Sequence, residues 1–250
     1  MINSNLVLNN LVFASQREQG MQQTEMLQMA SNLKISAVEL RREYFDQIKN
    51  ETSSIQKMML TTPIRLFYSV PDELFVNGKL NPRLEQYFHE AQQLGIYAIK
   101  FNIGEFQGFN NEIIAELKKW LMLGIQINVE NDQTQTSGRL AVIKKFMDAV
   151  AQAGLDLGYV YDMGNWRFVG DDELEAAKVL AKYVRYIHVK DGTGFKQTAQ
   201  TVLLGAGEIM WQNILEVLPQ TVPVALEYPT ADLQILQKGI SMLNDNLGAH

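Results

Sequence analysis

The stretch Tyr183-Val-Arg-Tyr-Ile-His-Val-Lys-Asp-Gly192 predicts a short β-strand that ends in a cluster of polar side chains. Because strand residues alternate between two faces, Tyr186, His188 and Lys190 share one face and the apolar residues between them share the other. An imidazole, an ammonium and a carboxylate therefore meet at the end of one strand. This arrangement is typical of the rim of a binding site.

His188 is the one histidine of the three in the chain that lies at a strand end. His89 falls in a helical pattern, and His250 is the last residue. A lone histidine on a strand is more often structural than a metal ligand, so its role depends on how the other strands end.

Strand and helix patterns alternate along the chain on both sides of this stretch. Besides residues 183–192, the predicted strands are 6–14, 35–40, 64–70, 96–103, 125–130, 157–162 and 223–228. The predicted helices are 24–33, 44–60, 82–94, 111–123, 139–153, 171–182, 210–218 and 232–243. The polar runs 15–20, 131–138 and 192–207 are expected to be loops. Such alternation favours a parallel sheet covered by helices.

Eight strand–helix repeats in 250 residues favour an α/β fold of the closed (β/α)8 TIM barrel type. An open doubly wound sheet is the alternative, but it usually carries a Gly-rich phosphate turn after its first strand, and none is present. The composition does not shift along the chain and 46% of the residues are hydrophobic, so residues 1–250 are expected to form a single domain.

Charge and composition exclude several classes of function. The net charge is −6 and the basic residues are scattered, so no nucleic-acid partner is expected. The absence of cysteine excludes disulfides and thiolate metal sites. The first residues do not resemble a signal peptide, and no apolar run approaches 18 residues, so no membrane partner is expected. These features are typical of a soluble, cytoplasmic protein.

Four consecutive predicted strands end in side chains that can bind a metal: Glu130, Asp162, His188 and Glu227. In a parallel barrel these strand ends converge on one face, where active sites of this architecture lie. A single carboxylate at a strand end is usually a solvated loop residue. Three that converge would repel one another unless a cation neutralised them. One histidine and three carboxylates suit Mn²⁺, Mg²⁺, Co²⁺ or Zn²⁺ better than Ca²⁺.

The order and spacing of several short motifs resemble the xylose isomerase-like TIM barrels. The motifs are Val38-Glu-Leu40, Val129-Glu-Asn131, Tyr161-Asp-Met-Gly-Asn165, Ile187-His-Val-Lys-Asp191, Leu204-Gly-Ala-Gly207 followed by Trp211, and Leu226-Glu-Tyr228. This family includes sugar phosphate isomerases and epimerases, endonuclease IV and keto-inositol dehydratases. The resemblance implies that Glu130, Asp162, His188 and Glu227 hold one divalent metal ion. It also implies that Glu130 and Glu227 form the acid–base pair.

Two departures from the family pattern bear on the substrate. Many epimerases carry a substrate-binding histidine at the position of Asn165. Members similar to endonuclease IV use several more histidines to hold three zinc ions, and this chain lacks them. The first departure leaves the substrate open, and the second argues against DNA repair.

Four further residues are candidates for substrate binding: Glu39, Asn102, Asn165 and Lys190. Lys190 could hold an oxyanion or a phosphate, or it could form a surface salt bridge with Asp191. Glu39 and Asn102 could bind substrate hydroxyls, or they could cap loops.

The sequence therefore predicts a metal-dependent isomerase or epimerase that acts on a small ketose or related hydroxy-carbonyl compound by proton transfer through an enediolate. A dehydratase of a cyclic keto-polyol is the alternative among enzymes, because the same enolate can expel a β-hydroxyl. A barrel that only binds a ligand is the alternative from another class. The expected partner is a small sugar or sugar-like molecule, and a homodimer is one open alternative for the assembly.

Overall fold

Eight parallel strands surround a central axis in the computed structural model, which describes residues 2–248. His250 lies outside the described residues. The strands in chain order are β1 (Leu6–Asn9), β2 (Ala37–Arg41), β3 (Arg65–Val76), β4 (Lys79–Leu80), β5 (Ala98–Gly104), β6 (Gln126–Glu130), β7 (Leu157–Asp162), β8 (Val184–Val189), β9 (Asp191–Thr193), β10 (Gln200–Val202) and β11 (Val224–Leu226).

The barrel contains β1, β2, β3, β5, β6, β7, β8 and β11, each paired in parallel with the next. The ring closes because β1 pairs with both β2 and β11. The predicted (β/α)8 barrel is thus confirmed, and the open sheet is excluded. Closure brings the carboxyl ends of all eight strands to one face of the barrel.

Helices cover the outside of the barrel. They are α1 (Ala14–Glu18), α2 (Gln23–Asn32), α3 (Ile48–Met59), α4 (Leu84–Leu94), α5 (Asn111–Leu121), α6 (Leu140–Gln152), α7 (Asn165–Val169), α8 (Glu173–Leu180), α9 (Trp211–Val217) and α10 (Leu233–Leu247). Four 3₁₀ turns complete the set: Asn10–Phe13, Arg42–Tyr44, Ala181–Tyr183 and Lys196–Thr198. Within residues 2–248, no helix has both the length and the apolar character needed to cross a membrane.

An apolar layer fills the inside of the barrel below its carboxyl-end face. It consists of Val7, Ala37, Phe67, Ala98, Val160, Tyr186 and Ala225, all buried. The rings of Phe67 and Tyr186 stack across the axis, with their centroids 4.7 Å apart. The aromatic pair fills the centre of the barrel in this layer.

A polar layer lies directly above the apolar one. Two residues further along the same strands are Asn9, Glu39, Ser69, Lys100, Asp162, His188 and Glu227, which are also buried. Because strand residues alternate, each of these side chains points into the barrel like the apolar residue two positions earlier. The inward-facing residues thus change from apolar to polar at this level of the barrel, and the candidate site lies at this level.

Several segments differ from the sequence-based prediction, and the short helix α7 was not predicted. The first strand ends at Asn9, and the remainder of the predicted strand and the predicted loop 15–20 form a 3₁₀ turn and α1. The third strand continues beyond residue 70 to Val76 and turns back into β4. The predicted loop 192–207 contains the antiparallel pair of β9 and β10.

Candidate metal centre

Four side chains that can bind a metal meet at the carboxyl-end face of the barrel. Glu130 ends β6, Asp162 ends β7, His188 lies near the end of β8, and Glu227 follows β11. One ligand atom from each lies within 4.8 Å of the others, and all four residues are buried. The structure therefore brings together the four residues that the strand ends predict.

The inward-facing atoms of this cluster lack hydrogen-bond partners. Glu130 Oε1, Asp162 Oδ2 and His188 Nδ1 are all buried without a hydrogen bond among the described residues, although Asp162 Oδ2 has the Lys190 ammonium 2.6 Å away as an ion-pair partner. Nδ1 lies 2.7 Å from Oε1 of Glu130 and 4.0 Å from Oδ2 of Asp162, but neither contact has hydrogen-bond geometry. Buried polar atoms without partners are costly, and a cation at the centre would satisfy all three. The donor set thus fits a divalent metal ion.

The second nitrogen of His188 is fixed by a carboxylate behind it. Nε2 lies 2.7 Å from Glu39 Oε2, which also accepts a 2.5 Å hydrogen bond from the Tyr186 hydroxyl. Such a contact orients the imidazole and leaves Nδ1 directed at the cluster. Glu39 was a candidate for substrate binding. Its side chain is fully buried behind His188 and does not lie at the open rim.

Lys190 bridges two carboxylates of the cluster. Its Nζ lies 2.6 Å from Asp162 Oδ2 and 3.0 Å from Glu227 Oε2. The alternative of a surface salt bridge with Asp191 is wrong, because the lysine is buried and points inward. Its stem passes so close to Gly164 that a Cβ there would lie 2.6 Å from Lys190 Cγ.

Two further cations hold the glutamates from the side. Lys100 donates a hydrogen bond to Glu130 Oε2. Glu227 Oε1 accepts hydrogen bonds from Arg41 Nη1 at 3.2 Å and from Asn9 Nδ2 at 3.1 Å. Glu130 therefore has one oxygen held by a cation and presents the other to the centre, whereas Arg41 and Lys190 each hold one oxygen of Glu227.

Burial and neighbouring charges shift the pKa values of the cluster in opposite directions. Burial raises the pKa of Glu130, but Lys100 and His188 outweigh it and lower the pKa to about 2. Burial also raises the pKa of Glu227, but Lys190 and His188 outweigh it, and the pKa falls well below its ordinary value. Burial raises the pKa of Asp162 and Lys190 lowers it. With the charges of Glu227 and Glu130 added to burial, the pKa rises to about 7. Burial lowers the pKa of His188, but the surrounding carboxylates raise it well above its ordinary value. The cluster thus attracts positive charge strongly.

Backbone amides fix the orientation of Asp162. Its Oδ1 accepts hydrogen bonds from the amides of Gly164 at 2.9 Å and Asn165 at 3.0 Å. Asn131 is paired with the main chain of Asp162, donating to its carbonyl and accepting from its amide. Only Oδ2 is therefore left to face the centre.

The remaining substrate-binding candidates lie around the rim. The Asn165 side chain donates to the Asn131 carbonyl at 2.9 Å and accepts from Gln133 Nε2 at 3.1 Å, so it holds a loop. Asn102 is half-buried and lies opposite Glu130 in the pairing of β5 with β6.

Sequence analysis assigned no role to four residues of the site: Asn9, Arg41, Lys100 and Tyr186. All four lie on barrel strands at the same two-residue period as the candidate ligands. The two-residue period could have identified them. It places each of them on the same strand face as a residue that was assigned to the site, or as an apolar residue that points into the barrel.

The barrel and its acidic cluster define the class of protein. The family described as xylose isomerase-like TIM barrel matches residues 83–246. This match covers more than half of the 250 residues, and the chain belongs to that family. A sequence search of curated proteins gives no match.

Several solved structures share the fold. The IOLI protein with a bound zinc atom has a TM-score of 0.67 and 13% identity, and the alignment covers 98% of this chain and 96% of that one. The probable 3-DHS dehydratase AsbF of Bacillus anthracis has a TM-score of 0.69 and 16% identity, with coverage of 95% and 98%. D-Psicose 3-epimerase of Clostridium cellulolyticum H10, solved with D-tagatose, has a TM-score of 0.64 and 11% identity, with coverage of 100% and 99%. At these identities the likeness concerns the fold alone.

Proposed function

We propose that the protein is a divalent-metal-dependent isomerase or epimerase of a small ketose or hydroxy-carbonyl compound. Glu130, Asp162, His188 and Glu227 would hold the ion. Glu130 and Glu227 would transfer the proton. The observation that supports this proposal most is that one ligand atom from each of these four buried residues lies within 4.8 Å of the others, while Glu130 Oε1 and His188 Nδ1 have no hydrogen bond among the described residues.

The chemistry would depend on acidifying one C–H bond of the substrate. A divalent ion held by the cluster would polarise a carbonyl and the neighbouring hydroxyl and stabilise the enediolate. Glu130 presents Oε1 to the centre, where this carboxylate would both contact the ion and lie next to the substrate proton that it removes. Glu227 reaches the centre with Oε2, 3.3 Å from His188 Nδ1, and can return a proton from another direction. Lys100 and Arg41 keep both glutamates ionised and in place.

The solved structures that share the fold include enzymes of more than one reaction type. A psicose epimerase and a dehydratase share the fold, and a zinc atom is bound in the IOLI protein. Proton removal beside a carbonyl is common to epimerisation, isomerisation and dehydration. The acid–base pair is therefore the part of the proposal that an experiment should test first.

The test uses purified protein with Mn²⁺ or Co²⁺, a panel of ketoses, and deuterium oxide as solvent. Glu130→Gln and Glu227→Gln keep an oxygen ligand but lose the basic carboxylate, so turnover should fall by about 10²- to 10⁴-fold. If two bases act on opposite faces, one of these variants should still exchange deuterium into the substrate without inverting it. Asp162→Asn is the matched control and should impair exchange and turnover together.

Near-normal turnover in both glutamine variants would show that these glutamates are ligands or structural residues and not bases. Loss of water from a substrate would favour the dehydratase alternative. Absence of bound metal after incubation with Mn²⁺, Co²⁺ or Zn²⁺ would favour a barrel that only binds a ligand.

A further inference from the structure

Lys100 is a buried cation to which the proposed reaction assigns only the support of Glu130. It lies on β5, is 8% exposed, and points into the barrel two residues after Ala98. An ammonium has three N–H donors. Among the described residues, its one hydrogen bond goes to Glu130 Oε2. Two donors of this buried group are therefore without a protein partner.

Two buried acceptors without partners belong to neighbouring residues. Glu39 Oε1 and Asn128 Oδ1 are buried and accept no hydrogen bond from the described residues. Both residues and Lys100 line the same narrow gap, which has no room for a water molecule. Water therefore does not reach the ammonium through this gap, and Glu130 remains its hydrogen-bond partner.

We propose that Lys100 is a resident counter-cation that shares Glu130 with the metal ion. Without the ion, the ammonium neutralises Glu130; with it, the ammonium and the ion share the charge of this carboxylate. The inference rests on the proposed metal centre, and it adds a positioning residue that sets the affinity of the centre for its ion.

The charges of the inner layer support this sharing. Four carboxylates, Glu39, Glu130, Asp162 and Glu227, face His188 and three permanent cations: Lys100, Lys190 and Arg41. Removing the cation that donates a hydrogen bond to a buried carboxylate destabilises the fold, so Lys100 supports the metal-free fold. The same positive charge repels a divalent ion at the adjacent oxygen of Glu130. The lysine should therefore stabilise the metal-free protein and weaken metal binding.

Lys100→Met and Lys100→Gln test both effects. Calorimetric titration with Mn²⁺ should show binding about 10- to 100-fold tighter than in the wild type. Changing an outer partner of a metal ligand usually weakens binding by a factor of this size, but here the change removes a positive charge next to the ion, so the sign is reversed. Thermal unfolding in EDTA should show the opposite effect: Lys100→Met should melt roughly 5–15 °C lower. Adding Glu130→Gln to Lys100→Met should recover part of that loss, because neither charge is then left unpaired.

Lys144→Met is the matched control, because this exposed lysine pairs with Asp148 on α6 at 2.5 Å and lies far from the cluster. It should change neither affinity nor melting temperature in EDTA. Lys100→Gln retains a donor for Glu130 and keeps the affinity measurement accessible if Lys100→Met does not fold.

Unchanged or weaker Mn²⁺ affinity in the Lys100 variants, with the wild type binding normally, would overturn the role of Lys100 and leave the metal centre intact. If neither the wild type nor Lys100→Gln bound a divalent ion, the metal centre would fail and the inference with it. Binding by Lys100→Gln alone would support the competition and remove the metal from the proposed function of the wild type.

Discussion

His188 shows how much of the site depends on one side chain and its partner. The imidazole supplies the one nitrogen of the four-residue cluster, and Glu39 fixes its orientation through Nε2. Because Nδ1 is buried and has no hydrogen-bond partner among the described residues, its position supports the proposed metal centre.

Two substitutions should distinguish the role of His188 as a metal ligand from the role of Glu39 as the residue that orients it. In His188→Ala, the rise in melting temperature caused by Mn²⁺ should disappear, since a ligand is lost. In Glu39→Gln, metal affinity should fall by about 10- to 100-fold because the imidazole is less well oriented. Thermal unfolding with and without Mn²⁺ measures both effects. His89→Ala, an exposed position on α4, is the control. A metal-induced rise that survives in His188→Ala would contradict the proposed centre.

The sequence predicted where the candidate ligands lie better than it predicted what surrounds them. Glu130, Asp162 and His188 end strands of clear period, so their common location follows from the parallel barrel. Lys100 lies on an equally clear strand, but a lysine is ordinarily solvated, and nothing local shows that it pairs with Glu130. Such pairs depend on the register between strands, which one strand's sequence does not contain.

The segment after β8 is held by one carboxylate. Asp191 accepts hydrogen bonds from the backbone amides of Gly192, Gly205, Gly207 and Ile209 at 2.8–3.1 Å. A Cβ at Gly207 would overlap with the Asp191 carboxylate, so the close approach requires glycine there. Asp191 thus ties both ends of the excursion through β9 and β10 to the barrel, next to Lys190.

Asp191→Asn should loosen this excursion more than the rest of the barrel. An amide has a single acceptor oxygen, so at least two backbone amides lose their partner, at a cost of about 1–3 kcal/mol each. Hydrogen exchange of residues 192–209 should therefore become faster in the folded protein. Asp172→Asn, which changes the N-cap of α8, is the control and should affect that helix alone. Equal exchange rates at 192–209 in Asp191→Asn and the wild type would contradict the anchor.

The elements that sequence missed are short or depend on tertiary contacts. Asn77-Gly78 lies between β3 and β4, with φ of 51° and 72°, the signature of a tight hairpin turn. This dipeptide was a usable signal for the extension of β3. The five-residue helices α1 and α7 carry too few turns for a periodic pattern, and their neighbours decide their conformation.

At the scale of the whole molecule, one buried ionic cluster connects three parts of the barrel wall. Glu90 on α4 accepts two hydrogen bonds from Arg42 at 2.8 and 2.9 Å and one from Tyr68 on β3 at 2.9 Å. Burial raises the pKa of the Glu90 carboxyl. The hydrogen bonds from Arg42, Gln86 and Tyr68 outweigh burial and hold its pKa below the ordinary value of 4.5.

The stability of the fold should therefore depend on this carboxyl in acid. Because the folded pKa is depressed, its contribution is complete above the unfolded pKa and is lost as pH falls through the folded value. Glu90→Gln should lower the free energy of unfolding by about 1–3 kcal/mol at pH 7, and the difference should shrink below about pH 4.5. Urea unfolding between pH 7 and pH 3 measures it. Glu85→Gln, exposed on the same helix, is the control. A difference that stays constant down to pH 3 would contradict the linkage.

The stacked rings of Phe67 and Tyr186 close the interior of the barrel below the cluster. The apolar layer to which they belong is buried throughout, so the cluster is not reached along the barrel axis from the opposite end. In the proposed reaction, substrate and product would therefore both pass through the carboxyl-end face, and the two would exclude each other from the site. Product inhibition should consequently be competitive with respect to substrate.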